Sequence, residues 1–487
     1  MSRTFGCLLA IALAASLHAG CNCGSVPHAG CRVDDDCRAI PCDTGEIAAC
    51  VDGACGCSND ILIGDIGRYQ SMALRGPTAY ICAYNNTYGD LMLGNVTPHD
   101  VVKNWTFVDG VPEDVSPDNP LSKVRGGVTD KGDDVGRYCS VNVTREGDPV
   151  ISYYDGTNGT LKFASFGAVR WHTTTIDKGA SKPPLGDDIG RWTSLTFAKD
   201  GSPGVAYYAE VAKGPSGGRE SQLRFAQAKR PNPSASTDWV VQTLMSKPLP
   251  KVDPMAPVSV PDGVGLFAQS ARKASGAPVI VYYDNSPAGP NLGPRGNLMY
   301  IEYDPATKMW KAPEVLDGED PMGKDTADVG WYPSITVGLD DVAHIAYVDA
   351  SHDNLLYVNT KTRTPEVVDD GYRPNDEMTL DGLAAPVFHL VGDSSSIGLS
   401  GDTVIISYQD TTVLQLRLAV RDPMKGTWKL DSLAGHATPF KGAYGFYSQT
   451  RTSGSQAVIS TYAIDQHLEE PSYFVEVFGI TLQTVIQ

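Results

Sequence analysis

The chain alternates short apolar runs with turn residues and nowhere sustains a helical period. The pattern is clearest between residues 133 and 176. Asp133, Asp134, Val135, Gly136, Arg137 and Tyr138 lead into a short run over 141–144. Glu146, Gly147, Asp148 and Pro149 make a turn. A β-branched and aromatic run over 150–154 stops at Asp155 and Gly156. Asn158 and Gly159 turn the chain again before a run over 161–165, and a last run starts at Trp171 and ends near Ile176. Runs of this length, bounded by Gly, Pro, Asn and Asp, predict four short strands.

The same layout recurs along the chain. Glycine and tyrosine pair at Gly67/Tyr84, Gly136/Tyr153, Gly190/Tyr207, Gly265/Tyr282, Gly330/Tyr347, Gly392/Tyr408 and Gly445/Tyr462, with six spacings of seventeen and one of sixteen. A fixed internal spacing of this kind marks a repeat architecture, here with a unit of roughly 60 residues. One four-stranded unit cannot bury both faces of its sheet, so neighbours must stack. Seven such units without helical periodicity predict an all-β fold, a seven-bladed β-propeller of four-stranded antiparallel blades over residues 61–487. The recurring residues have structural work to do. The glycine turns the chain into the crowded centre. Ser71, Ser140, Ser194 and Ser334 are small enough for an inner strand. The tyrosines and the terminal tryptophans are expected to fill the wedges between blades.

The front of the chain is different. Arg3 precedes an apolar run from Phe5 to Leu17, the layout of a secretory signal and too short to span a membrane. Ala19, Gly20 and Cys21 resemble the lipobox of bacterial lipoproteins, although His18 departs from the usual leucine. The resemblance implies a signal peptide over 1–20, lipidation at Cys21, and, with Asn22 next, an exported protein held at the outer membrane or cell surface. Plain signal-peptidase cleavage is the alternative. Cys31, Cys37, Cys42, Cys50, Cys55 and Cys57 then form a cysteine-rich stretch within a tether over 21–58. In an exported chain these six read as a small disulfide module whose pairing the spacing leaves open. A structural zinc site is the competing arrangement, disfavoured in an oxidising compartment. The stretch is similar to EGF-like modules. Cys82 and Cys139 lie in the first two blades and are expected to bridge them.

In rhythm the repeats resemble the sialidases and related propellers. That family carries boxes of the form Ser-x-Asp-x-Gly-x-Thr-Trp, of which only the fragment Gly426, Thr427, Trp428 occurs. Sialidases also grip a carboxylate with three arginines. Arg68, Arg137 and Arg191 resemble that trio, but they hold one repeat position in consecutive blades and are expected to pair with Asp65, Asp134 and Asp188. There is no GxSxG elbow or dinucleotide fingerprint placed between a strand and a helix, no HExxH and no P-loop, and no catalytic residue is assigned. The chain is expected to bind rather than catalyse.

Charge directs attention to the aspartates. With 39 basic and 57 acidic residues the formal charge is −18, which argues against nucleic acid and anionic membrane surfaces as partners. Contact with a membrane is expected through a lipid anchor alone. In a propeller the loop entering each inner strand and the loop after the second strand open on one face. Asp65, Asp134, Asp188 and Asp328 lie in the first loop class, and Asp155, Asp284, Asp349 and Asp410 in the second. Converging carboxylates of this kind attract calcium or a basic partner, whereas single aspartates also cap turns. The reading that results is a monomeric, non-catalytic surface protein that binds a glycan or a protein partner on one propeller face, with calcium as the one cofactor considered. The alternatives are a divergent sialidase-like glycosidase or lyase, and a purely structural envelope lipoprotein. Function is expected where the repeat is broken: at Ala209 and Glu210, at Ile464, at Asp393 in place of the arginine, and in the insertions around 109–130 and 246–262.

Overall fold

A computed structural model of the chain describes most of residues 64–482, with breaks at 112–131, 168–169, 184–185, 251–261, 286–295, 320–325, 375–385, 436–441 and 466–470. Before residue 64 it describes Cys31, Cys37, 47–51 and 54–58. The expected signal peptide, Cys21 and Cys42 lie outside the described residues, as do the side chains of Cys50 and Cys57.

The described chain forms seven antiparallel sheets of the propeller kind and one small hairpin. The inner strands are Ile66–Arg75, Val135–Val143, Asp188–Phe197, Gly263–Arg272, Val329–Val337, Val391–Ser400 and Gly442–Ser453. Each lies against the next, and the seventh lies against the first, so the ring is closed. In blade two the further strands are Pro149–Asp155, Thr160–Phe166 and Trp171–Lys178, in the order the turn residues predict. Blade four differs in splitting its outer edge into Met309–Trp310 and Glu314–Asp317. Among the described residues no helix is long and apolar enough to cross a membrane.

Three features set the blade spacing. The recurring glycine sits at positive φ, +106° at Gly136, and a Cβ there would lie 2.7 Å from the Leu91 Cα of the preceding blade. Glycine is therefore needed both for the backbone conformation and for the close approach. Secondly, Ser71, Ser140, Ser194, Ser334 and Ser396 each accept a hydrogen bond from a backbone N–H of the following inner strand, over 2.8–3.4 Å. Serine is present for this bond as well as for its size. Thirdly, Trp239, Trp310 and Trp428 pack edge-on against Phe163, Phe225 and Tyr357 of the blade before, with centroids 5.2–5.4 Å apart.

The seven tyrosines of the spacing pattern are all buried, but they are not one structural position. Strand register separates Tyr153, Tyr207, Tyr282, Tyr347 and Tyr408 from Tyr84 and Tyr462, which match Tyr154 instead. The cause is the hairpin after the inner strand. It has two residues in blades one and seven (Arg75 pairs Thr78, Ser453 pairs Gln456) and five in blade two, where Val143 pairs Pro149. A shorter hairpin moves a constant sequence spacing onto the opposite face of the second strand.

The first set points back to the preceding blade. Tyr153, Tyr207, Tyr347 and Tyr408 donate to Asp109, Asp177, Asp317 and Asp369 over 2.6–2.7 Å. Each of these aspartates pairs in register with the first leucine of its blade's third strand. In blade three that partner is Met245, and among the described residues the Tyr282 hydroxyl has no hydrogen-bond partner.

Closure of the ring differs from the repeat plan. Blade seven supplies three strands of its own, and its outer strand is Asp100–Val101, a segment of blade one paired with Glu476 and Val477. The Cys82–Cys139 disulfide joins blades one and two, as the sequence predicts. In the N-terminal hairpin Ile47–Val51 pairs with Ala54–Ser58, and Cys37 bonds Cys55. The thiols of Cys31, Cys37 and Cys55 cluster, but all three are in disulfides and so are not zinc thiolates.

Candidate functional site

A cavity of about 790 Å³ runs along all seven inner strands. Its volume is that of ordinary ligand pockets. At the start of each inner strand the register slips twice around the glycine, so the strand bulges there. The bulge throws one residue per blade into the left-handed region: Tyr69, Tyr138, Trp192, Phe267, Tyr332, Ser394 and Tyr447, all with φ between 47° and 54°. Six of these seven are aromatic. Left-handed backbone at bulky residues is uncommon and persists only where the surrounding structure imposes it.

The six rings form a collar at the channel mouth. Tyr447, Tyr69, Tyr138, Trp192, Phe267 and Tyr332 touch in that order, with successive centroids 4.5–5.4 Å apart. The collar is open at Ser394, between Tyr332 and Tyr447. Burial, then the neighbouring Tyr69, pushes the Tyr138 hydroxyl up to about 12. The Tyr332 hydroxyl is raised by burial and then by Asp393. The Tyr138 and Tyr332 hydroxyls are therefore neutral donors at ordinary pH.

Behind the collar, blades one to three carry arginine. Arg68 pairs with Asp65 at 2.7 Å, Arg137 with Asp134 at 2.8 Å, and Arg191 with Asp188. Burial lowers each guanidinium's pKa, but the carboxylate and the preceding blade's tyrosine outweigh it and hold the group charged. The tyrosines Tyr462, Tyr84 and Tyr154 complete these clasps by donating to the same three aspartates. The three arginines are thus tied to their own blades in register with the repeat.

The other predicted ligand residues are also engaged locally. Asp328 accepts from Tyr283 at 2.7 Å and from the Trp331 indole at 3.0 Å. Asp155 caps the turn at Asn158, Asp284 pairs with Lys247 at 2.6 Å, and Asp349 meets His352 at 2.7 Å. Asp410 is fully buried between His389 at 2.8 Å and Arg417 at 2.9 Å. The eight aspartates are spread over six blades, two each in blades two and five, and among the described residues no three carboxylates converge as a cation cage requires. Each carboxylate is a clasp or a turn cap.

Blade six breaks the pattern. Where blades one to three have arginine followed by an aromatic ring, it has Asp393 followed by Ser394. Asp393 lines the cavity and accepts one hydrogen bond, from the Thr411 hydroxyl at 3.1 Å. It has no ion pair among the described residues. Burial raises its pKa; the Thr411 bond opposes this, and Asp353 adds to it. The spacing of the glycine and the second-strand tyrosine does not reveal the collar, because the bulge that turns these rings inward is a backbone feature. Its signal is the aromatic residue two places after the glycine in six repeats.

No protein-family model and no curated protein sequence matches the chain. Solved structures do match, at the level of fold. A polysaccharide lyase, an ulvan lyase, is 9% identical, with 87% of this chain and 99% of that chain covered and a TM-score of 0.48. A Hadza microbial sialidase is 11% identical over 84% of this chain and 77% of its own, with a TM-score of 0.40. A puromycin-hydrolysing peptidase of Mycobacterium tuberculosis is 12% identical over 84% of this chain, with a TM-score of 0.41, and this chain spans 52% of its length. Enzymes of different chemistry thus share the architecture, and the likeness says nothing about which chemistry, if any, this chain performs.

Proposed function

We propose that the protein is an exported, non-catalytic surface protein that takes a glycan or a group from a protein partner into the collared mouth of its channel. The observation that carries this reading is the six-ring collar, open at Ser394 beside a carboxylate without a counter-ion. Aromatic rings held in fixed orientation by the backbone give a ligand a large apolar surface without ordering cost. Asp393 and Thr411 supply the few polar groups that orient it. Export is consistent with the Cys82–Cys139 and Cys37–Cys55 disulfides. Anchorage through a lipid on Cys21 belongs to the same proposal. Labelling with an alkyne fatty acid should mark the wild type and not Cys21→Ser.

Ligand entry should change the fluorescence of Trp192 and Trp331, the tryptophans nearest the mouth. A panel of neutral and charged saccharides and capped amino acids, titrated against purified protein, tests the reading. Saturable change lost in Tyr332→Ala supports it; turnover of a glycoside at enzymatic rates replaces it. One observation favours that second reading, a divergent glycosidase or lyase: Asp393 is a carboxyl whose pKa is raised in an aromatic pocket, the setting of a general acid. In that case Asp393→Asn abolishes turnover.

A further inference from the structure

The break in the collar also specifies the charge of what it admits. Next to the collar, Arg68, Arg137 and Arg191 each face an aspartate; the arginine that lines the cavity, Arg451, lies four residues beyond Tyr447 on its strand and bonds Gln449 and the Thr450 carbonyl. On the side of blades five and six the balance is the reverse. Asp393 has a hydroxyl as its one partner, Asp353 is close enough to act on it electrostatically, and Asp328 is held by a phenol and an indole. None of these three carboxylates forms an ion pair among the described residues. The open position is flanked by two rings, Tyr332 and Tyr447, whose nearest collar neighbours are Phe267 and Tyr69.

We propose that this notch is a binding site for a cationic group, an alkylated ammonium or a guanidinium, seated between Tyr332 and Tyr447 with its charge against Asp393. The inference rests on the binding reading above and narrows its ligand class. Ring faces attract a cation through their quadrupole, and attract it more strongly when water is excluded. A carboxylate without a counter-ion at the same place adds direct charge complementarity, and the chain's net charge of −18 favours approach of a cation from a distance. Ser394 makes the room: its hydroxyl accepts from the Tyr447 N–H at 2.9 Å, which keeps it against the backbone and out of the notch. A tyrosine at that position would complete the collar and fill the space.

Calorimetric titration of the full chain tests the site with defined probes. Tetramethylammonium represents a free alkylammonium, and acetyl-arginine and acetyl-lysine amides represent a side chain presented by a partner. 3,3-Dimethylbutanol is the uncharged shape control, and a set of neutral monosaccharides represents the glycan source. The expected result is saturable binding of at least one cationic probe, no binding of dimethylbutanol, and affinity about tenfold lower in Asp393→Asn, with loss in Ser394→Tyr. Asp393→Asn should melt as the wild type does, and Ser394→Tyr slightly below it, because it gives up the bond from the Tyr447 N–H. If neutral sugars bind and cations do not, or if Asp393→Asn binds the cation unchanged, the charge assignment is overturned while the binding reading stands. If no probe of either class binds, the binding reading falls with it.

Discussion

Blades two and six share one plan and differ where they meet the channel. Blade two presents Gly136, Arg137 and Tyr138; blade six presents Gly392, Asp393 and Ser394. In blade two the charged groups of this segment are paired: Arg137 holds Asp134, and Tyr84 of the previous blade donates to the same carboxylate. In blade six the corresponding groups leave an uncompensated carboxyl and a gap between two rings. The regular residues hold blades together; at the irregular ones the Ser394 hydroxyl still takes the Tyr447 N–H, while the Asp393 carboxyl has the Thr411 hydroxyl as its one side-chain partner among the described residues. Substitutions in blade two should therefore cost stability, and substitutions at Asp393 and Ser394 should cost binding.

The largest stability effect is expected at the covalent tie between blades one and two. Cys82→Ser with Cys139→Ser reopens a loop with a sequence separation of 57. By chain entropy that costs about 4 kcal/mol, and the melting temperature should fall correspondingly, or as far on reduction of the wild type. An unchanged melting point would mean that the blade interface alone fixes the pair. Next comes Gly136→Ala. Its Cβ meets backbone at 2.7 Å with φ at +106°, and strain together with overpacking costs about 3 kcal/mol. Thermal melts in which alanine is tolerated would contradict the account of the repeat.

A pair of phenylalanine substitutions sharpens the comparison between regular and irregular interfaces. Tyr347→Phe leaves the half-buried Asp317 carboxylate with a backbone N–H as its remaining donor among the described residues and should cost about 1–2 kcal/mol. Tyr282→Phe, at the interface where Met245 replaces the aspartate, removes a hydroxyl without a partner and should be near neutral. Equal losses at the two sites, by denaturant unfolding, would show that burial of the ring rather than the hydrogen bond sets the interface.

The smallest effect is a pH dependence. Burial raises the pKa of Glu302, but Lys273, Lys311 and the Tyr300 hydroxyl at 3.0 Å outweigh it and bring the value down to about 2. A carboxyl depressed on folding stabilises above its unfolded value, near 4.3, and that contribution is lost as pH falls towards the folded value. The difference in melting temperature between wild type and Glu302→Gln should accordingly shrink between about pH 5 and pH 2. A difference constant over that range would rule out the charge as its source.

Much of the fold was legible in the sequence because turn residues and aromatic runs repeat in register. The strands of blade two fall where Gly147, Asn158 and Trp171 imply, although its inner strand begins at Val135 rather than near Val141, because a bulged segment still pairs. The spacing of Gly67 to Tyr84 looked like that of Gly136 to Tyr153, yet the shorter hairpin at Gly76 places the two tyrosines on opposite faces. Spacing counts residues, whereas register depends on the turn between them. The closing strand at Asp100 and Val101 was invisible for another reason: two residues carry no pattern, and their partners lie far away in the chain at Glu476 and Val477. Carboxylates that share a loop class do not thereby share a centre, and each of the eight aspartates has its own local partner. What the sequence did offer was the break at Asp393; what it lacked was the bulge that turns its neighbour Ser394 into a gap among six rings.

The most direct test of that break is to repair it. Writing the residues of blade two into blade six, as Asp393→Arg with Ser394→Tyr, completes the collar. Fluorescence of Trp192 and Trp331 is then followed during titration with tetramethylammonium and with the neutral sugars, alongside the melting temperature. The account predicts a response in the wild type that disappears in the repaired protein, while the fold still melts cooperatively. A repaired, fully folded protein that responds as the wild type does would contradict it.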